Sequence, residues 1–272
     1  ETYSSELQRI WDQNRETESA LRSGLRNLHL GLHFQPILDL ATRKVVAAEA
    51  LIRWPRDGHF VPPAEFIPLA ERSDLILEID TWVLDAACRQ AKEWQEQENM
   101  NVGFKVHVNL SSKFIQRGDM SVVAQTLERH GLPGSALGVE ITETAVISDL
   151  NKAFHNVQAL RAIGMTVSLD DFGTGYSSLN HLASFPIDSV KIDREFIEKI
   201  DSLESSRVIV ESISHLASRL GNDVIAEGVE TEAQCEFAHA AGCKLGQGYF
   251  FGKPIAAAAF VQRWGSATVS FE

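Results

Sequence analysis

From about Ile79 onward the chain alternates segments of helical spacing with short apolar runs, and that alternation admits few folds. Ile79, Trp82, Val83, Ala86, Ala87 and Trp94 keep the spacing of a helix ending near Asn99, and Phe104 to Leu110 then reads as a strand. A helix over about Ser121 to His130 precedes a strand at Leu137 to Thr142, and a helix over Leu150 to Ile163 precedes one at Val167 to Leu169. The pattern continues with a short helix near Ser178 to Ala183 and a strand at Ser189 to Ile192. A long helical region, Glu195 to Leu220, interrupted near Asp201, leads to a strand at Val224 to Glu227. Glu232 to Ala241 is helical, Leu245 to Phe250 extended, and an Ala-rich helix over about Ile255 to Trp264 closes the series.

Two earlier runs, Leu32 to Leu38 and Val45 to Arg53, are joined by too few residues for a parallel crossover, so they pair antiparallel. Pro36 places the first of them at an edge or makes it irregular. Pro62 to Pro68 reads as a loop with a short helical turn. Eight strands with helices between the later ones define an α/β protein, a modified (β/α)8 TIM-type barrel with one antiparallel strand.

A chain of 272 residues builds such a barrel as a single domain. Residues 28–272 are assigned to it. Residues 1–27 form a polar helical lead-in, with Leu7, Ile10 and Trp11 on the face expected to pack, and are expected to be the end of a linker from a larger parent protein, since the chain lacks an initiator Met. A net charge of −12 argues against nucleic acid polymers and anionic membranes, which need a Lys/Arg field. No apolar run approaches the roughly 20 residues of a bilayer span, so no membrane contact is expected from this segment. Cys88, Cys235 and Cys243 show no paired ligand spacing, which favours reduced thiols and a cytoplasmic setting.

In a barrel of this kind active-site groups stand at the C-terminal ends of strands. Glu49, Asn109, Glu140, Asp170 with Asp171, Lys191, Glu227 and Gln247 each fall at or near the end of a different expected strand. Singly, each has a plain structural reading. Glu49 is an ordinary surface acid, Asn109 a strand terminator, Asp170-Asp-Phe-Gly173 an Asx turn, and Arg53 a surface salt-bridge partner. Glu140 and Lys191 resist that treatment, because each interrupts an apolar strand, where a buried charge needs a partner. Adjacent aspartates serve one site only where the pleat dissolves, as Gly173 and Gly175 suggest it does here. Oxygen donors and one amide, without His or thiolate, select hard cations, Mg2+ or Mn2+. Five carboxylates exceed the needs of one ion, and two ions form the usual clamp for displacement at phosphorus, so phosphodiester hydrolysis is the expected reaction class.

The same residues carry a family resemblance. Gln35-Pro36, Glu49-Ala-Leu-Ile-Arg-Trp54, Phe66-Ile-Pro-Leu-Ala-Glu71, Val108-Asn-Leu-Ser111, Glu140-Ile-Thr-Glu143, Asp170-Asp-Phe-Gly-Thr-Gly175, Val190-Lys-Ile-Asp193, Glu227-Gly-Val-Glu230 and Gln247-Gly-Tyr249 stand in that order. From about Leu32 to Pro254 the chain resembles the bacterial EAL-domain cyclic-di-GMP phosphodiesterases. The resemblance implies metal-dependent hydrolysis of cyclic di-GMP to linear pGpG by a homodimer, with two Mg2+ or Mn2+ ions per site and inhibition by Ca2+. By carry-over, Glu49, Asn109, Glu140 and Asp170 would hold one ion, and Asp170, Asp171 and Glu227 the other. Lys191 would contact the attacking water, and Glu227 is alternatively a general base. Gln35 would meet a guanine edge, Arg53 a phosphate, and Gln247 would line the pocket. Glu143 would anchor the Phe172 to Ser178 loop, which couples metal occupancy to dimer contacts. The alternative from another class is a non-catalytic cyclic-di-GMP receptor or dimerisation domain.

Overall fold

The computed structural model describes residues 2–26, 29–97, 100–101, 103–173 and 185–265. Its strands are β1 (Gly31–Asp39), β2 (Val45–Arg56), β3 (His59–Val61), β4 (Lys105–Asn109), β5 (Leu137–Thr142), β6 (Thr166–Phe172), β7 (Ser189–Ile192), β8 (Asp223–Ala226), β9 (Leu245–Gly246) and β10 (Ile255–Ala256). β2 and β4 to β9 pair in parallel, each with the next. β1 pairs antiparallel with both β2 and β9 and so closes an eight-stranded barrel, to which β3 and β10 are attached.

Of the two expectations for Pro36, an edge strand or an irregular one, the second holds: β1 is the closing strand, and its register with β2 shifts between Ile37 and Leu38. Its ladder on the side away from β2 is made by β10 at His33 and Phe34 and by β9 at Leu38 and Asp39. Pro36 falls in the gap between them, where no ladder partner needs the N–H that proline lacks. Leu245 to Phe250 also contains less strand than its apolar character implies, ending after Gly246. The chain turns there, with the Val229 N–H donating to the Gln247 carbonyl. Pro62 to Pro68, expected as a loop with a short helical turn, falls in a full helix over Pro63–Glu71 with Pro68 inside it. The expected helix at Ser178 to Ala183 lies outside the described residues.

Helices α1 (Thr2–Arg26), α2 (Pro63–Glu71) and α3 (Leu75–Glu96) cover one flank of the barrel. Trp11, expected on the packing face of α1, is 65% exposed. The side chains of Leu7 and Ile10 lie outside those described; in the C-terminal half of the helix Leu21 is fully buried and Arg22 meets Glu78 at 2.9 Å.

Period two along the parallel strands sorts side chains between two environments. Val106, Val108, Val139, Ile141, Val167, Leu169, Val190, Ile192 and Val224 belong to the large core shared with the helices. Ile37, Ala47 and Ile225 form a small separate apolar cluster, the floor of the barrel interior. Glu49, His107, Glu140, Ser168, Ser189 and Lys191 are buried in the same phase of their strands, above that floor. The barrel thus holds a polar layer inside an apolar shell, and that layer positions the site. Cys88, Cys235 and Cys243 are all buried and unpaired. No described helix is long and apolar enough to cross a membrane.

Candidate active site

Lys191 is the centre of the polar layer. It is 1% exposed, and its Nζ lies 2.5 Å from Glu140 Oε2, 2.5 Å from Glu227 Oε1, 3.5 Å from Asp170 Oδ1 and 3.8 Å from Glu49 Oε2. Carboxylates from β2, β5, β6 and the end of β8 thus converge on one ammonium from β7. Asn109 Nδ2 donates to Glu49 Oε1 at 2.6 Å, and Gln247 Nε2 donates to Glu49 Oε2 at 2.5 Å and to Gln35 Oε1 at 3.1 Å. Gln35 Nε2 in turn donates to the Gly252 carbonyl at 3.2 Å.

The two aspartates meet the site through a break in the ladder. β6 and β7 pair at Leu169 with Val190 and next at Phe172 with Ile192, so β6 carries an extra residue there. Asp171 takes a φ of 54°, and its N–H donates to Asp170 Oδ1 at 3.0 Å. The pleat dissolves as expected, by a bulge centred on the aspartates themselves. Carboxylate oxygens of Asp170, Asp171 and Glu227 then lie within 4.8 Å of one another.

One ammonium cannot neutralise this many acids, and their proton affinities divide accordingly. Burial alone would lower the Lys191 ammonium, but Asp170, Glu140, Glu227 and Glu49 hold it well above the lysine range. Burial raises Glu49 too, yet Lys191 with the Gln247 and Asn109 hydrogen bonds brings it below the ordinary carboxylate range. Glu140 and Glu227 go the other way: burial, with repulsion from neighbouring carboxylates, outweighs Lys191 and raises both well above that range. Asp171 is pushed up to about 6 by burial, then by Asp170 and Asp193. Burial and mutual repulsion thus favour a proton on Glu140, Glu227 and Asp171. The cluster's donors are carboxylate oxygens and one amide, so it fits hard divalent cations, which would replace those protons.

Around the cluster opens a pocket of about 280 Å3 lined by Gln35, Glu49, Asp170, Lys191, Glu227 and Gln247, with Arg194, Glu230 and Tyr249 at its wall. Arg53 is turned to the backbone. It is half-buried outside that lining, its Nη1 donating to the Ile52 carbonyl at 2.9 Å, with Tyr249 and Glu49 nearby in charge. Glu143 heads the helix Glu143–Ser148, with both carboxylate oxygens buried and without a hydrogen-bond partner among the described residues. Most of the loop it is expected to anchor lies outside those residues.

Two contacts were not anticipated. His107 Nδ1 lies 3.0 Å from Glu140 Oε1, and burial, with Lys191 close by, pushes this imidazole down to about 3, so it is neutral. Asp80, on α3, receives both the Ser111 hydroxyl at 2.5 Å and the Ser111 N–H at 3.3 Å, which fastens the chain just beyond Asn109.

Residues 18–254 match the family model described as the EAL domain. The chain belongs to the EAL domain family. This EAL domain is 39% identical over 239 residues to the bifunctional diguanylate cyclase/cyclic di-GMP phosphodiesterase MucR of Pseudomonas aeruginosa, a match covering 87% of the chain and 35% of that protein. It is 38% identical over 250 residues to the cyclic di-GMP phosphodiesterase NbdA of the same organism, covering 91% of the chain and 32% of NbdA. The solved structure of the MucR phosphodiesterase in complex with c-di-GMP superposes with a TM-score of 0.86 at 38% identity, covering 90% of this chain and 99% of that one. The chain spans about a third of the length of the curated relatives it matches.

Proposed function

We propose that this EAL domain hydrolyses one phosphodiester bond of cyclic di-GMP and releases linear pGpG, with two resident divalent cations, Mg2+ or Mn2+. The observation that carries the reading is the convergence of Glu49, Asn109, Glu140, Asp170 and Glu227 around buried Lys191, with Asp171 beside them, at the mouth of a barrel related to the MucR phosphodiesterase. Glu49, Asn109, Glu140 and Asp170 would hold one ion, and Asp170, Asp171 and Glu227 the other. When bound, such ions supply Lewis-acid charge at the phosphoryl oxygens and ease the deprotonation of water.

The chain's own residues hold the reactants. Lys191 Nζ, fixed from several sides, orients the attacking water and favours its ionised form. Glu227 Oε1, 2.5 Å from that ammonium, serves as a ligand oxygen or as the acceptor of the water proton. The new bond joins the water oxygen to phosphorus. The bond to the ribose 3′ oxygen breaks, and that oxygen leaves with a proton. Gln247 and Gln35 form an amide chain along the pocket wall, and Gln35 would read a guanine edge there. Arg53 meets a phosphate at the rim only by turning its guanidinium from the Ile52 carbonyl.

Nucleotide chromatography of the purified chain incubated with cyclic di-GMP tests the reading. Mg2+ or Mn2+ yields pGpG as product. Ca2+, larger and less exacting in geometry, supports nucleotide binding with turnover slower by about tenfold or more. Equal rates in Ca2+ and Mg2+ contradict the assignment, and tight binding with no product in any ion establishes the receptor alternative.

A further inference from the structure

We infer that His107 is a positioning residue of this site, fixing the carboxylate plane of Glu140 and thereby the affinity for a divalent cation. What Glu140 does rests on the proposed function; what His107 does to Glu140 rests on geometry alone. β4 and β5 pair His107 with Gly138 and Asn109 with Glu140, so the imidazole lies beside the strand that carries the acid. His107 is 6% exposed and Glu140 1%. The two oxygens of Glu140 are held by different groups: Oε1 by His107 Nδ1 at 3.0 Å and Oε2 by Lys191 Nζ at 2.5 Å. Rotation of this carboxylate breaks both contacts. With Glu140 ionised, as a cation ligand must be, the contact requires the hydrogen on Nδ1, and the imidazole donates.

Gly138 supplies the second, independent observation. A Cβ at this position would come within 2.8 Å of the His107 ring, with Cε1 and Nε2 nearest. Gly138 is not among the residues with positive φ, so its backbone does not call for glycine. The missing side chain makes the seat for the ring. A histidine packed on a glycine and aimed at a ligand carboxylate is the arrangement by which outer groups fix the orientation and basicity of a metal ligand.

The experiment compares wild type, His107→Leu, His107→Asn, Gly138→Ala and the double variant His107→Asn/Gly138→Ala. Mn2+ affinity is measured by calorimetry without nucleotide, alongside melting temperature and the kcat and KM of hydrolysis. His107→Leu keeps bulk but no donor, and is expected to weaken Mn2+ binding by about 10- to 100-fold and lower kcat in step, with KM for the nucleotide little changed. His107→Asn, which carries an N–H close to the Nδ1 position, restores most of the affinity. Gly138→Ala, which displaces the ring, weakens binding, and adding His107→Asn to it restores binding, because the smaller side chain relieves the clash. The inference is overturned if the Leu variant binds Mn2+ as tightly as wild type, or if the Leu and Asn variants lose affinity equally while melting temperature falls in parallel. Should the Leu variant fail to fold, the Gly138→Ala pair decides by the same criterion. A wild-type chain that binds no Mn2+ overturns the reading of the whole site and this inference with it.

Discussion

Glu49→Ala is expected to abolish cation-dependent turnover, by well over the roughly 100-fold that loss of an outer-shell group brings, while the barrel stays folded. The proposed ligand role of Glu49 rests on its company: Oε1 accepts from Asn109 at 2.6 Å, Oε2 accepts from Gln247 at 2.5 Å, and Lys191 Nζ stands 3.8 Å away. Its removal strips one oxygen donor, releases the Asn109 amide and leaves Gln247 Nε2 with Gln35 Oε1 alone. Leaving a buried donor unsatisfied costs about 1–3 kcal/mol. Against this, the cluster loses one negative charge from a set that already has too many, so the two effects oppose each other and the fold survives. Circular dichroism and Mn2+ calorimetry on the variant separate loss of the site from loss of the protein. Wild-type turnover by a folded Glu49→Ala chain refutes the ligand assignment.

Lys191→Ala has the second large effect, and it acts on two quantities at once. Assayed with saturating Mn2+, kcat should fall by about 100- to 1,000-fold, as when a preorganised hydrogen-bond donor is removed from a reacting centre, with little change in affinity for the nucleotide. Without cation, the variant leaves Glu140, Glu227, Asp170 and Glu49 facing one another with no ammonium between them. Removing one partner of a buried charge set typically destabilises by about 3–5 kcal/mol. The melting temperature of the variant should therefore drop in EDTA and recover on addition of Mn2+ by more than wild type does. Calorimetry that finds lost nucleotide binding as the main defect contradicts the kinetic part, and a melting temperature insensitive to cation contradicts the electrostatic part.

Much of this site was legible because a parallel barrel strand is apolar on one face and must explain every charge on the other. Glu140 between Val139 and Ile141, and Lys191 between Val190 and Ile192, stood out for that reason, and the two lie 2.5 Å apart. His107 carries the same signal between Val106 and Val108, but a single histidine on an apolar strand reads equally well as packing. Its partner, 33 residues on, is fixed only by strand register. Pro36 signals an irregular strand but cannot say that the strand closes a barrel, because β1 is paired on its second side only near its ends. Helical spacing gives the phase of a face without giving which turns of the helix reach a neighbour, and Trp11 stays exposed. The double aspartate was legible as a site, but the device that aims both side chains, a bulge with Asp171 at positive φ, depends on β7 and has no local signature beyond the following glycines.

Diffraction from crystals grown with Mn2+, recorded at the manganese absorption edge, tests the central claim most directly. Two anomalous peaks are expected beside Lys191, one within ligand distance of Glu49, Asn109, Glu140 and Asp170 and one within ligand distance of Asp170, Asp171 and Glu227. Absence of anomalous density among those side chains at saturating Mn2+, or peaks confined to other parts of the molecule, would contradict it.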